Sequence, residues 1–283
     1  MDEQNMDILE RIHASYYQLT ATEKRVADYV LTQSERVQFM SITQLAEECG
    51  TAEATISRFC RSLKLKGFNA FKIELARHTT SEKIQRSLEP APDSPEGRFR
   101  DVGRQSVDAI GQTIDLMDPR LVARAVEMIE NAPHVMCIGS GGSMIMASDC
   151  AHQFSTVTPK VYAVSDTHMQ IAACATMGVD DIIILFSYSG ATTNGIQILE
   201  LAKQRGVKTI LVTRYNKSPA AKLADVVLLC GSNEGPFQFG SVPAKVAQLI
   251  VIDVLFREYY NRNLASSEDT IQRIASALSD MHV

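Results

Sequence analysis

The sequence predicts two domains of different class: an all-α domain over residues 1–86 and an α/β domain with a largely parallel sheet over residues 98–283. Three observations carry that prediction. Up to about residue 86 the apolar residues recur at helical spacing. Residues 87–97, SLEPAPDSPEG, then hold three prolines and little apolar content, which is the composition of a linker. Beyond it, short and uniformly apolar runs alternate with helical patterns, as expected of a parallel sheet covered on both faces.

In the first domain Ile8, Ile12, Tyr16 and Leu19 make one helical stripe. Thr20 and Glu23 fit a capping box for ATEKRVADYVLTQ, whose apolar face is Val26, Tyr29 and Val30. Ser41 opens a short helix, SITQLAEECG, that Gly50 ends with positive φ. Thr51 opens TAEATISRFCRSLKL, with Ile56, Phe59, Cys60 and Leu63 facing inward and Thr55, Arg58, Arg61 and Ser62 largely outside that stripe. A turn at Lys66-Gly67-Phe68 leads into one further helix. In the second domain two helical stretches precede the strand VMCI. The runs VYAV (161–164), IIILFS (182–187), TILVT (209–213) and VVLLC (226–230) read as further strands.

Composition bounds the function. Apolar content of 45% and charged content of 22% are those of a soluble globular chain. No apolar run is long enough for a membrane span, and the acidic, amphipathic start lacks the regions of a signal peptide, so a cytoplasmic location is expected. The six cysteines are scattered without a CxxC pair, which predicts reduced thiols and no zinc site or disulfide framework. Net charge is −5, yet it is unevenly distributed. Residues 1–54 balance to −6 and residues 55–86 to +6, a basic block within an acidic chain.

That block falls on the second of two short helices joined through Gly50, a helix-turn-helix arrangement. An α-helix fits the major groove of DNA, and its N-terminal residues reach base edges. Small residues Ala52, Ala54 and Ser57 permit close approach, while Thr55, Ser57, Arg58 and Arg61 can bond bases or phosphates. Lys64, Lys66 and Lys72 suit the phosphate backbone, which positions without reading sequence. Plain packing hairpins share this pattern.

LTATEKRVADYVL followed by SITQLAEECGTAEATISRFCRSLKLKGFNAFKIELAR resembles the N-terminal domain of the RpiR family of bacterial transcriptional regulators, over about residues 5–78. The resemblance implies that residues 51–63 contain the recognition helix. The DNA-facing candidates are thus Thr51, Ala52, Glu53, Ala54, Thr55, Ser57, Arg58, Arg61, Lys64 and Lys66. One departure is Lys64, where the family more often has glycine.

The second domain carries two polar turns that each follow an apolar strand and open a helix. GSGGS (139–143) offers close backbone approach and a helix N-terminus, which favours an anion. The dinucleotide pattern GxGxxG fails because Met144 stands in the third position, so no NAD or other cofactor is expected. SYSGATT (187–193) repeats the arrangement at a second strand end. Ligands of open α/β sheets bind beyond the carboxyl ends of strands at the switch in strand order. Ser140, Ser143, Ser187, Ser189 and Thr192 would there surround a phosphate with neutral donors, aided by the backbone of Gly141 and Gly190. A hydroxyl-rich helix cap without a ligand is the alternative.

Both turns resemble the SIS (sugar isomerase) domain over about residues 120–260, as does VTRYNKSPAAKLADVVLLC. The resemblance implies a five-stranded, mostly parallel, flavodoxin-like α/β/α sheet and a phosphorylated sugar as ligand. Ala191 departs from the glutamate of many SIS domains. His168 and Glu234 are weighed as bases for isomerisation. A lone histidine at a helix start is more often structural or a ligand contact, and Glu234 is divided between a solvated loop acid and a sugar-hydroxyl contact. Lys245 reaches the pocket or an interface, or snorkels to water.

Together these readings predict a non-enzymatic regulator, binding a double-stranded and palindromic operator as a homodimer or homotetramer. A sugar-phosphate effector would shift its operator affinity. No metal is expected. A SIS-type isomerase with an accessory helical domain, and a sensor acting through protein partners, are the rivals.

Overall fold

A computed structural model describes residues 7–86, 94–231 and 241–279. These fall into two compact units, one ending at Gly103 and the other beginning at Arg104.

The first unit is helical: α1 (Ile8–Ser15), α2 (Ala21–Thr32), α3 (Ser34–Val37), α4 (Ile42–Glu48), α5 (Glu53–Ser62) and α6 (Phe68–Arg86). Its helix starts are closed by the side chains that the sequence nominates. Thr20 and Ser41 each form a full capping box, with Glu23 and Gln44. Asp7 does the same with Glu10 at the start of α1. Gly50 ends α4 with φ +58°. The core is Ile12, Val26, Val30, Leu45, Ile56, Phe59 and Phe71, all fully buried, with Phe59 edge-on to Phe71 at 5.6 Å. Burying one such side chain contributes about 1.5–3 kcal/mol, so α5 is held mainly by its apolar stripe. The short helix α3 has no apolar repeat and is not legible in the sequence.

Helix α7 (Pro95–Leu116) begins inside the segment that reads as a linker, and residues 87–93 lie outside the described residues. In the second unit α8 (Pro119–Asn131), β1 (Val135–Gly139), α9 (Gly142–Ser155), β2 (Val161–Ala163), α10 (Thr167–Thr176), β3 (Ile182–Phe186), α11 (Thr193–Arg205), β4 (Lys208–Thr213) and β5 (Val226–Leu229) follow. Helices α12 (Val242–Arg262) and α13 (Leu264–Leu278) complete it. The five strands are parallel in the order β2-β1-β3-β4-β5, the flavodoxin-like order. Separate apolar clusters cover the two faces. One gathers α8, α9 and α12 on Val135, Cys137, Ile184 and Val212, and the other gathers α10 and α11 on Met136, Ile138, Ile183 and Leu211. Alternate residues of each strand feed the two clusters, which is why every position of β1 and β3 is buried. All six cysteines are free and buried, and burial pushes the Cys60 thiol up to about 12.

Candidate functional sites

In the first unit helix α5 is fixed by polar contacts at both ends of its approach. The Ser62 hydroxyl donates to Glu23 Oε1 at 3.0 Å. Glu23 also accepts from the Thr20 N–H at 2.9 Å and the Thr20 hydroxyl at 2.7 Å. Desolvation alone would raise the Glu23 carboxyl, but the bonds from Thr20 and Ser62 and the charge of Arg58 hold it below its usual value. Arg25 donates to the Gly50 carbonyl at 2.7 Å and Arg11 to the Leu63 carbonyl, which clamp the turns before and after α5.

Ala52, Ala54, Arg58, Arg61, Lys64 and Lys66 are exposed, and Glu53 and Ser57 are half-buried. Three sequence readings need correction. Helix α5 starts at Glu53 behind Ala52, so Thr51 lies in the turn, and its hydroxyl is buried with no hydrogen-bond partner among the described residues. Thr55 is only 5% exposed and its hydroxyl accepts from Arg58 at 3.3 Å, so it supports the reading face from beneath. Lys72 is half-buried over the Phe68 ring at 5.4 Å, and burial pushes its ammonium down to about 8, so the structure gives it a packing role that the sequence reading did not expect. Lys64 is the single described non-glycine residue with positive φ, at 59°. The departure from glycine at this position therefore occupies a left-handed turn that disfavours a side chain by about 1–2 kcal/mol.

In the second unit Gly139 pairs with Phe186, so β1 and β3 end level with each other at the switch in strand order. Ser140 and Ser187 are the first residues beyond them. At the β1 turn α9 starts behind Gly141, which has φ +56° and supplies no side-chain cap. Ser140, Gly142 and Ser143 are half-buried there. A Cβ on Gly139 would lie 2.8 Å from the Ser143 backbone, so only glycine lets this helix start so close to the strand.

At the β3 turn Ser187 is buried, Ser189 half-buried and Thr192 exposed. Thr192 occupies the cap position of α11, yet its hydroxyl makes no cap bond. It lies instead 3.4 Å from the Ser187 hydroxyl. Ser189 Oγ accepts from the Ala191 N–H at 3.3 Å. The turn is braced by the loop after β4. The Tyr188 carbonyl accepts from the Arg214 N–H at 3.0 Å and from the Thr213 hydroxyl at 3.1 Å, and the Gly190 carbonyl from the Ala220 N–H at 2.9 Å. Gly190 has φ +60°, and a Cβ there would meet Ser218 Oγ at 2.1 Å.

The sequence reading missed Thr213, Ser218, Gln170 and Asn194. Gln170 is fully buried in α10, where it bonds both turns. The legible signal was a lone amide in the otherwise apolar run MQIAACA. His168 is exposed on the first turn of α10, and Asp166 caps that helix by accepting from the Met169 N–H at 2.9 Å. Lys245 is half-buried on α12. Glu234 lies outside the described residues. Among the described residues no group of side chains is suited to hold a metal ion, and no helix is long and apolar enough to cross a membrane.

A helix-turn-helix unit joined to a parallel α/β unit with two hydroxyl-lined turns at its switch point defines a ligand-responsive DNA-binding protein. The rpiR-family helix-turn-helix model matches residues 6–82, and the SIS domain model matches residues 128–257. An HTH-type transcriptional regulator of Caldanaerobacter subterraneus subsp. tengcongensis is 33% identical over 253 residues, covering 88% of this chain and 89% of its own. The HTH-type transcriptional regulator HexR of Escherichia coli is 26% identical, covering 97% and 95%. The structure of Vibrio vulnificus NanR complexed with ManNAc-6P superposes with a TM-score of 0.86 at 27% identity, covering 98% of this chain and all of that one. The chain belongs to the rpiR family of helix-turn-helix transcriptional regulators and carries a SIS domain, and these two curated relatives are named as HTH-type transcriptional regulators.

Proposed function

We propose that the SIS unit binds a phosphorylated sugar through Ser140, Gly141, Ser143, Ser187, Ser189, Gly190 and Thr192, and that binding changes the affinity of the α5 face for an operator. The observation that carries this reading is the Thr192 hydroxyl, which stands at a helix start without capping it and turns toward Ser187. The start of α9 on the adjacent strand also lacks a side-chain cap, and the first turns of α9 and α11 with their hydroxyls are the donors this reading assigns to the phosphate. The sugar phosphate in the NanR complex supports the ligand class. His168 and Glu234 are assigned to the sugar rather than to catalysis.

The DNA-reading residues are Arg58, Arg61 and Ser57, with Ala52 and Ala54 at the closest approach and Lys64 and Lys66 on phosphates. Thr51, Glu53 and Thr55 shape this surface. The working form is a cytoplasmic homodimer or higher oligomer on a palindromic operator, since such proteins commonly read two half-sites. Exposed Met169 and Ile171 on the uncharged helix α10, and exposed Leu264, Ile271 and Leu278 along α13, support self-association.

The test is fluorescence anisotropy on DNA from upstream of the protein's own gene. Hexose and amino-sugar 6-phosphates, ManNAc-6P included, are added beside their unphosphorylated sugars. One or more phosphates should shift the binding curve while the free sugars do not. Binding that ignores every phosphate would sink the sensing reading, and absence of DNA binding at low salt would sink the regulator reading.

A further inference from the structure

We infer that Gln170 is a positioning residue that makes the β1 turn and the β3 turn a single phosphate site. The inference rests on the reading that these turns hold phosphate. Gln170 is fully buried on α10. Its Nε2 donates to the Gly139 carbonyl at 2.9 Å and to the Val164 carbonyl at 2.8 Å, with the Met144 sulfur at 3.6 Å. Its Oε1 accepts from Asn194 Nδ2 at 3.0 Å. Gly139 is the last residue of β1, so its carbonyl belongs to the peptide that begins the Ser140 turn. Asn194 is the second residue of α11, in the uncapped first turn that follows Thr192.

One side-chain amide therefore ties the carbonyl under one turn to the first helical turn of the other. Both ends of the amide are satisfied, so the glutamine adds directional bonds between the first turn of α11 and the end of β1, beyond the strand pairing that brings β1 and β3 level. Apolar packing tolerates small slips, whereas a bridge of directional bonds does not. A phosphate held jointly by donors from both turns needs that spacing, because misplacement of either set forfeits its bonds. The same amide reaches Val164 at the end of β2, so a change in spacing between the turns is carried directly into α10 and the segment before it.

The test is calorimetric titration of the full-length chain with hexose and amino-sugar 6-phosphates, ManNAc-6P included, and with inorganic phosphate, at a temperature where every variant is folded. Gln170→Leu keeps most of the buried bulk and removes the amide. It should weaken binding by about tenfold or more, and Asn194→Ala, which cuts the bridge from its other end, should also weaken it. The double variant should be no worse than about twofold below Gln170→Leu alone, since the two residues act through one bridge. Leu199→Ala, which opens a cavity deeper in α11, supplies the control, with a lower melting temperature and affinity within about twofold of wild type. Gln170→Leu behaving like Leu199→Ala, or additive losses in the double variant, would overturn the positioning role and leave the phosphate reading standing. Should Gln170→Leu not fold, wild-type affinity in Asn194→Ala would overturn it equally. Wild-type protein that binds none of these phosphates would remove the phosphate reading and this inference together.

Discussion

The helix starts of the two units are closed differently. In the first unit α1, α2 and α4 each begin with a capping box whose hydroxyl or carboxylate is spent on its own helix. In the second, α8, α10 and α12 are capped by Asp118, Asp166 and Ser241. No side-chain cap closes α9 and α11, which follow adjacent strands at the switch point, and the same holds for α5 and for α3 and α13. A cap contributes about 1 kcal/mol, so leaving N–H groups open where a hydroxyl is already in place has a stability cost that a ligand can offset. An uncapped start alone marks nothing; what sets α9 and α11 apart is that they stand together at the switch point, with the Thr192 hydroxyl in the cap position of α11 and not used there.

The largest effect should come from the turn itself. Gly190→Ala places a methyl against Ser218 in a left-handed conformation, and overpacking plus that conformation should cost about 2–4 kcal/mol. Calorimetric melting of the variant is the check, and a melting temperature equal to wild type would show that the turn is looser than described. On the DNA side, Arg58→Ala should weaken operator binding by about 1–3 kcal/mol and relax sequence preference. Lys66→Ala should weaken all sequences alike and flatten the salt dependence. Identical losses on operator and random DNA for Arg58→Ala would remove it from the reading face.

A smaller effect separates charge from backbone. Lys64→Gly should stabilise the folded chain by about 1 kcal/mol, because glycine accepts the left-handed turn, while weakening DNA binding by the loss of one cation. Denaturant melts and anisotropy on the same variant report both. A destabilised variant would mean that the lysine side chain contributes more packing than its conformation costs. A separate effect is one of pH. The Lys72 ammonium is held at about 8 in the fold against about 10.4 when unfolded. The unfolded chain thus binds more protons between those values, and stability from this group rises with pH across that window and is flat below it. Lys72→Met should remove that rise. A rise between pH 8 and 10 that survives in Lys72→Met must come from another group.

Much of this contrast was legible in the residues. The capping boxes at Thr20 and Ser41, the end at Gly50 and the five strands follow from local patterns, because each is decided within a few residues of its own position. Ser187, Ser189 and Thr192 were legible as a cluster for the same reason. What escaped depends on contacts across the chain. Thr55 reads as outward by helical spacing but is covered in the fold. Lys72 reads as a surface cation but lies on Phe68. Gln170, Thr213 and Ser218 matter only because β1, β3 and β4 come to lie side by side, which no local spacing reveals.

Two threonines bring the contrast to one measurement. Thr20 and Thr192 both stand at helix cap positions, and only Thr20 uses its hydroxyl there. Each is replaced by alanine, and the melting temperature without ligand and the affinity for a sugar phosphate that binds the wild-type chain are measured on both. Thr20→Ala should lose about 1 kcal/mol, a drop of about 2–4 °C, with ligand affinity unchanged. Thr192→Ala should melt with wild type and bind about tenfold more weakly, since a bond to a charged ligand is worth about 1.5–3 kcal/mol. A Thr192→Ala variant that melts lower and binds the sugar phosphate as wild type would contradict the central claim, and would make this turn a cap like the others.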